Sequence, residues 1–172
     1  IDSKLSIIQS DTQMTVDFFI VDILNKLNIP FTIHAGESMG PENIKMAISF
    51  GAKRIGHGVT SIKSEKVMKE IKDKNITLEM CITSNVKCNV VPSLKEHPIK
   101  KLYDYGIKVT VNTDDMAILN TNINKEYEIL IKELGFTYND LIKMNINSIE
   151  ASFMKEEEKQ FYLEKLKKYI KE

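Results

Sequence analysis

Phe31-Thr-Ile-His-Ala-Gly-Glu37 is the stretch on which the fold turns. Residues 31–33 read as a short buried strand. It ends in His34, two small residues and Glu37, and Ser38-Met-Gly-Pro41 then leads into a helix. A strand that delivers a His and a Glu at its C-terminal end, just before a helix, is how a βα barrel builds a site. Upstream, apolar residues crowd between Asp11 and Asn28. They predict a mostly buried helix, capped by Asp11 or Thr12 and ended by Asn28 and Pro30. The first ten residues show no clear period.

Downstream the scheme repeats. Pro41 opens a helix with Ile44, Ala47 and Ile48 facing inward, and Gly51 closes it. Arg54-Ile-Gly-His-Gly58 is a second strand, and Ser64–Lys74 a helix with Val67, Met68 and Ile71 inside. Ile76–Thr83 is a third strand. Its loop runs through Ser84, Asn85 and Pro92 to a helix near His97–Tyr105, which Gly106 stops. Lys108–Asp115 is the fourth strand, β-branched and ending in two acids. Helices over about 125–134, 138–153 and 156–171 finish the chain. Strands alternating with helices imply βαβ units and a parallel α/β sheet. A doubly wound sheet and part of a barrel both suit these parts. A complete (β/α)8 barrel needs about 250 residues, more than the 172 present.

Bulk properties exclude several function classes. The 24 basic and 24 acidic residues cancel, leaving no global field to attract nucleic acid or an anionic membrane. Hydrophobic content of 42% and charged content of 28% suit a globular protein. No apolar run approaches the roughly 20 residues of a transmembrane helix. No secretory signal is visible, and a cytoplasmic location is expected; residue 1 is Ile rather than Met, so an earlier segment is expected too. Cys81 and Cys88 match no zinc-finger spacing and read as two reduced thiols.

The chemistry-bearing residues sit at the strand ends. The first offers His34 and Glu37, the second His57 between two glycines, the third Thr83, Ser84 and Asn85, and the fourth Asp114 and Asp115. Taken singly, each has an ordinary explanation. A His can be a packed core residue, Glu37 a helix-start residue, Asp114-Asp115 a cap, and His97-Pro98 a helix start. Their recurrence on one rim of the sheet argues for a shared pocket. Imidazole and carboxylate are good ligands for Zn²⁺, which makes hydroxide available at neutral pH. With Glu37 as proton donor and His57 orienting the water, the group adds up to metal-assisted hydrolysis.

His34-Ala-Gly-Glu37, Arg54-Ile-Gly-His57-Gly58 and Val111-Asn-Thr-Asp-Asp115, in this order on successive strands, resemble the adenosine deaminase family of the amidohydrolase superfamily. Cys81-Ile-Thr-Ser-Asn85 with Glu96-His97-Pro98, Leu134-Gly-Phe136, Met144–Asn147 and Ser152-Phe153 are similar to it as well. The resemblance covers nearly all of the chain from about Phe31 onward. It implies a TIM barrel and zinc-dependent deamination of adenosine to inosine and ammonia, a step of purine salvage. It also implies roles. His34 and Asp114 bind zinc, and Asp114 orients the attacking hydroxide. Glu37 donates to purine N1. His57 holds the water, helps deprotonate it and stabilises the tetrahedral intermediate. Asp115 hydrogen-bonds N7, and Gly36 lets the ring approach. The cytidine-deaminase pattern of His-x-Glu with Pro-Cys-x-x-Cys is missing.

Two departures stand out. Met116 occupies a position where the family commonly has Pro. The family's His-x-His pair, which supplies two further zinc ligands from the first barrel strand, does not occur. The four strands match strands five to eight, so residues 1–172 are expected to be the C-terminal half of a single TIM-barrel deaminase domain. The expected partners are a purine nucleoside and the protein's own N-terminal half-barrel, without nucleic acid or membrane. On its own the half-barrel would be inactive, with two open sheet edges and an uncovered apolar face. Adenine or AMP deaminase activity is the nearest alternative, with Lys87 and Lys95 as the loop cations for a phosphate. A non-catalytic half-barrel binding module is the alternative from another class.

Overall fold

The computed structural model describes residues 6–7 and 18–170. The elements run β1 (Ser6–Ile7), α1 (Phe18–Lys26), β2 (Thr32–Ala35), α2 (Pro41–Ser49), β3 (Arg54–His57), α3 (Glu65–Asp73) and β4 (Thr77–Met80). They continue with α4 (Ile82–Lys87), α5 (Ile99–Tyr105), β5 (Lys108–Val111), α6 (Ile123–Leu134), α7 (Tyr138–Ala151) and α8 (Glu156–Lys167). All strand pairs are parallel, and the sheet order is β1-β2-β3-β4-β5. A doubly wound sheet reverses its order at a switch point, whereas a barrel adds each strand beside the last. The sequential order therefore identifies an arc of a (β/α)8 barrel.

The register explains why the arc holds together. Ile33 pairs with Ile55, Ile55 with Leu78 and Leu78 with Val109, a continuous row across four strands. Each is at most 1% exposed. Burying each such side chain stabilises by about 1.5–3 kcal/mol. Ile44, Ile71, Leu102 and Leu130, from the surrounding helices, are fully buried in the same core. The alternate positions form a different face. Thr32 Oγ1 donates to Glu79 Oε2 at 2.8 Å, and Arg54 Nε lies 3.0 Å from Glu79 Oε1. Arg54 also stacks over the Phe153 ring at 3.9 Å. The open face of the sheet thus carries polar, mutually paired groups where an apolar one was expected.

Several boundaries differ from the sequence expectations. β1 is a fifth strand, too short to show a period; it pairs Ser6 with Thr32 and Ile7 with Ile33. The helix expected from Asp11 is described only from Phe18, and its candidate caps Asp11 and Thr12 lie outside the described residues. It is also less buried than its composition suggests. Val21 and Leu24 are buried, but Ile20 and Ile23 are 37% exposed and Leu27 63%. β4 stops at Met80, not Thr83, and β5 at Val111, not Asp115. Residues 82–87 are a short helix. α8 ends at Lys167, and 171–172 lie outside the described residues. No described helix is long and apolar enough to cross a membrane.

Candidate active site

The segments that follow β2, β3, β4 and β5 meet at one end of the sheet. After β2 the chain turns through Gly36, whose φ is +68°. A Cβ there would collide with the Ile44 side chain. The turn is held from both sides. Gly36 N–H donates to Asn43 Oδ1 at 3.2 Å, and Gly36 O accepts from Thr60 N–H at 2.9 Å and from Thr60 Oγ1 at 3.1 Å. Thr60 Oγ1 also lies 2.8 Å from Met39 O. This scaffold aims Glu37 back at the strand it left. Glu37 Oε2 lies 2.9 Å from His34 Nε2, and Oε1 lies 3.5 Å from His57 Nδ1. The His34 and His57 rings are tilted by 44° with centroids 4.4 Å apart.

His57 and Asp114 are both in the left-handed backbone region, with φ of 62° and 57°. The other non-glycine residues described there are asparagines, which tolerate it. Non-Gly residues so placed cost of order 1–3 kcal/mol each and cluster where side chains must be aimed. Here the bend terminates β3 and turns the Asp114 carboxylate toward His57, with His57 Nε2 4.0 Å from Asp114 Oδ2. Ser84 Oγ, buried in α4, donates to the same Asp114 oxygen at 2.7 Å.

Groups with metal-ligating potential gather in two overlapping sets among the described residues: His34, Glu37 and His57, and His57, Cys81 and Asp114, each with ligand atoms within 4.8 Å of one another. The imidazole and carboxylate donors suit zinc. His34 and Asp114, the two expected ligands, fall in different sets that share His57. The Cys81 thiol is pushed well up by burial, reinforced by the Asp114 and Glu79 carboxylates, so it stays protonated. Cys88 is exposed, and both cysteines are free thiols as expected.

Asp115 is turned differently. Its Oδ1 accepts from Ala117 N–H and Ile118 N–H, each at 3.0 Å, so it caps the turn after β5. The capping explanation of the Asp-Asp pair thus applies to one member only. Sequence reasoning missed Glu126 and the tie that Asn85 and His97 make to His57. Glu126, fully buried in α6, accepts from Thr83 N–H at 3.1 Å and from Thr121 Oγ1. That bond satisfies an amide in the first turn of α4. Asn85 and His97, at 0% and 3% exposure, are hydrogen-bonded to each other at 3.1 Å, and Asn85 reaches His57 at 3.0 Å. His97 does precede a helix as expected, with Pro98 at the N-cap of α5. Its full burial, a poor place for a helix-start histidine, is the structural sign of a second duty.

A family profile described as Adenosine deaminase matches residues 10–169. The adenosine deaminase of Plasmodium gallinaceum is 48% identical over 153 residues, covering 87% of this chain and 41% of that protein. That of Haemophilus ducreyi is 41% identical over 142 residues, covering 83% of this chain and 41% of that protein. Among solved structures, the adenine deaminase of Arthrobacter aurescens superposes with a TM-score of 0.85 at 25% identity, over 88% of this chain and 47% of that one. A zinc-bound amidohydrolase from Burkholderia ambifaria gives 0.85 at 20% identity, over 95% and 46%, and shares the fold. The chain spans about two fifths of the length of the curated relatives it matches.

Proposed function

The chain belongs to the adenosine deaminase family, and from that premise we propose that it forms the C-terminal half of the barrel of an enzyme converting adenosine to inosine and ammonia. One observation carries this reading: His34, Glu37, His57 and Asp114, from three different strand ends, form a run of contacts at 2.9 Å from His34 to Glu37, 3.5 Å from Glu37 to His57 and 4.0 Å from His57 to Asp114. His34 and Asp114 would hold zinc, with further ligands from the N-terminal half. Zinc, when bound, lowers the pKa of a coordinated water toward about 7. Glu37 donates a proton to purine N1, which leaves C6 open to attack by water. Asp114, fixed by Ser84, orients that water. His57 stabilises charge developing on the attacking oxygen. Asp115 hydrogen-bonds purine N7. Gly36 leaves room for the ring beside Glu37.

Adenosine is favoured over AMP by the disposition of cations. Arg54 is the only arginine in the sequence, and it is engaged with Glu79, Phe153 and the Ala151 carbonyl at the start of β3. Lys87 donates to the Leu119 carbonyl. Neither is offered to a phosphate, which leaves Lys95 as the remaining cation of the two expected in the loops. The exposed apolar side of α1, with Ile20, Ile23 and Leu27, and the edge strand β1 are the surfaces the N-terminal half would cover. The test is turnover of adenosine, adenine and AMP by the full-length protein, zinc-loaded and after chelation. Adenosine should be preferred and activity should follow bound zinc. Absence of adenosine turnover by the zinc-loaded protein overturns the reading.

A further inference from the structure

A chain of hydrogen bonds runs from the backbone at the start of α5 to the proposed catalytic histidine, and it has one direction. Ile99 N–H can only donate, and it lies 3.3 Å from His97 Nδ1. That nitrogen therefore accepts and carries no proton. Burial holds the His97 imidazole neutral, with its pKa lowered to about 4. Its single proton must then sit on Nε2, which faces Asn85 Oδ1 at 3.1 Å. The Asn85 carbonyl thus accepts from His97, which fixes the amide with Nδ2 toward His57 Nδ1 at 3.0 Å. An amide nitrogen only donates.

We propose that Asn85 and His97 are positioning residues that lock neutral His57 in the tautomer protonated on Nε2. His57 then presents an N–H, not a lone pair, toward Asp114. In that tautomer it can donate to the attacking oxygen, while a role as the base that strips the water would need its Nε2 proton moved to a nitrogen already occupied by the Asn85 donor. Among the described residues, Glu37 Oε1 opposes this, at 3.5 Å from His57 Nδ1. That exceeds the range of a good hydrogen bond, about 2.7–3.2 Å, and the Asn85 nitrogen is closer. The catalytic consequence rests on the deaminase reading; the tautomer itself does not.

The experiment uses the full-length protein labelled with ¹⁵N-histidine, at a pH of about 8, where histidines are ordinarily neutral. The His57 resonances are assigned by their loss in His57→Gln. The expected result is a protonated, pyrrole-type Nε2 and a pyridine-type Nδ1. Asn85→Asp replaces the donor with a carboxylate of the same shape and should reverse the pattern. It should also lower kcat about 100-fold or more, as a wrong histidine tautomer does in other enzymes, with zinc content unchanged and KM within about threefold. His97→Gln, whose amide can still donate to Asn85 Oδ1, should keep the wild-type pattern, and His97→Leu should not. The His97 pair carries the test if Asn85→Asp does not fold. A protonated Nδ1 in the unaltered protein, or a pattern indifferent to all three substitutions, overturns the proposal. If the unaltered protein shows the expected tautomer but no adenosine turnover, the functional reading fails and the positioning role stands.

Discussion

Replacing Gly36 with Ala tests whether the turn that aims Glu37 is dictated by the backbone or only by the substrate. Two costs can be worked separately. Holding alanine in the left-handed region costs about 1–2 kcal/mol. The new Cβ would also collide with Ile44 and stand 3.0 Å from Thr60 Oγ1. Overpacking of this kind costs about 1–3 kcal/mol. The expected total is about 2–5 kcal/mol, read from urea unfolding of the full-length protein as a lowered midpoint at constant slope. The two parts separate in a double-mutant cycle. Ile44 is fully buried, so Ile44→Ala alone should cost about 2–5 kcal/mol. In the Gly36→Ala background it should cost less by the collision energy, because the vacated volume accepts the new methyl. A Gly36→Ala variant within about 0.5 kcal/mol of wild type, or strictly additive costs, would refute the argument.

Four further outcomes are expected. Glu37→Gln should retain zinc and lose turnover by about 100-fold or more; near-normal activity would reject its role at N1. Ser84→Ala removes the donor to Asp114, and a hydrogen bond to a charged group is worth about 1.5–3 kcal/mol, so kcat/KM should fall about 10- to 150-fold if that bond acts in the transition state. Glu126→Leu leaves Thr83 N–H and Thr121 Oγ1 without their buried partner; it should destabilise by about 2–4 kcal/mol, visible as a lowered Tm. His97, held neutral with a pKa lowered to about 4, binds its proton less readily when folded than at the unfolded value of about 6.5. Its contribution is intact above pH about 6.5 and is lost as pH falls toward about 4, by roughly 3 kcal/mol. Unfolding measured across that window should be less acid-sensitive in His97→Gln.

The sequence made some elements plain and hid others for identifiable reasons. The four main strands were legible because their apolar residues form short runs bounded by helices. The position of the candidate site was legible because His34, Glu37, His57, Asp114 and Asp115 lie at or within four residues past the C-terminal ends of those strands. α4 was hidden. Ile82-Thr-Ser-Asn has weak helix propensity and follows a β-branched strand, so locally it reads as strand and loop. What turns it helical includes Glu126, 43 residues away in sequence, accepting from its first turn. The end of β5 was overrun for a similar reason. Val-Thr-Val-Asn-Thr suits an extended chain, and the left-handed turn at Asp114 is imposed by tertiary contacts such as Ser84. The alternation on the open face of the sheet was masked by strand shortness. Four-residue strands give two positions per face, too few to expose the Thr32–Arg54–Glu79 network.

The Ile33–Ile55–Leu78–Val109 row has a consequence for how such proteins diversify. The row ends as the chemistry-bearing side chains begin: His34 and His57 belong to the last residues of β2 and β3, whereas Glu37 and Asp114 hang from the loops beyond. Exchange of a loop then alters what the pocket admits without disturbing the ladder below. Selectivity can drift over generations at little cost in folding, and grafting experiments should find the loops of the rim interchangeable while the rungs resist change.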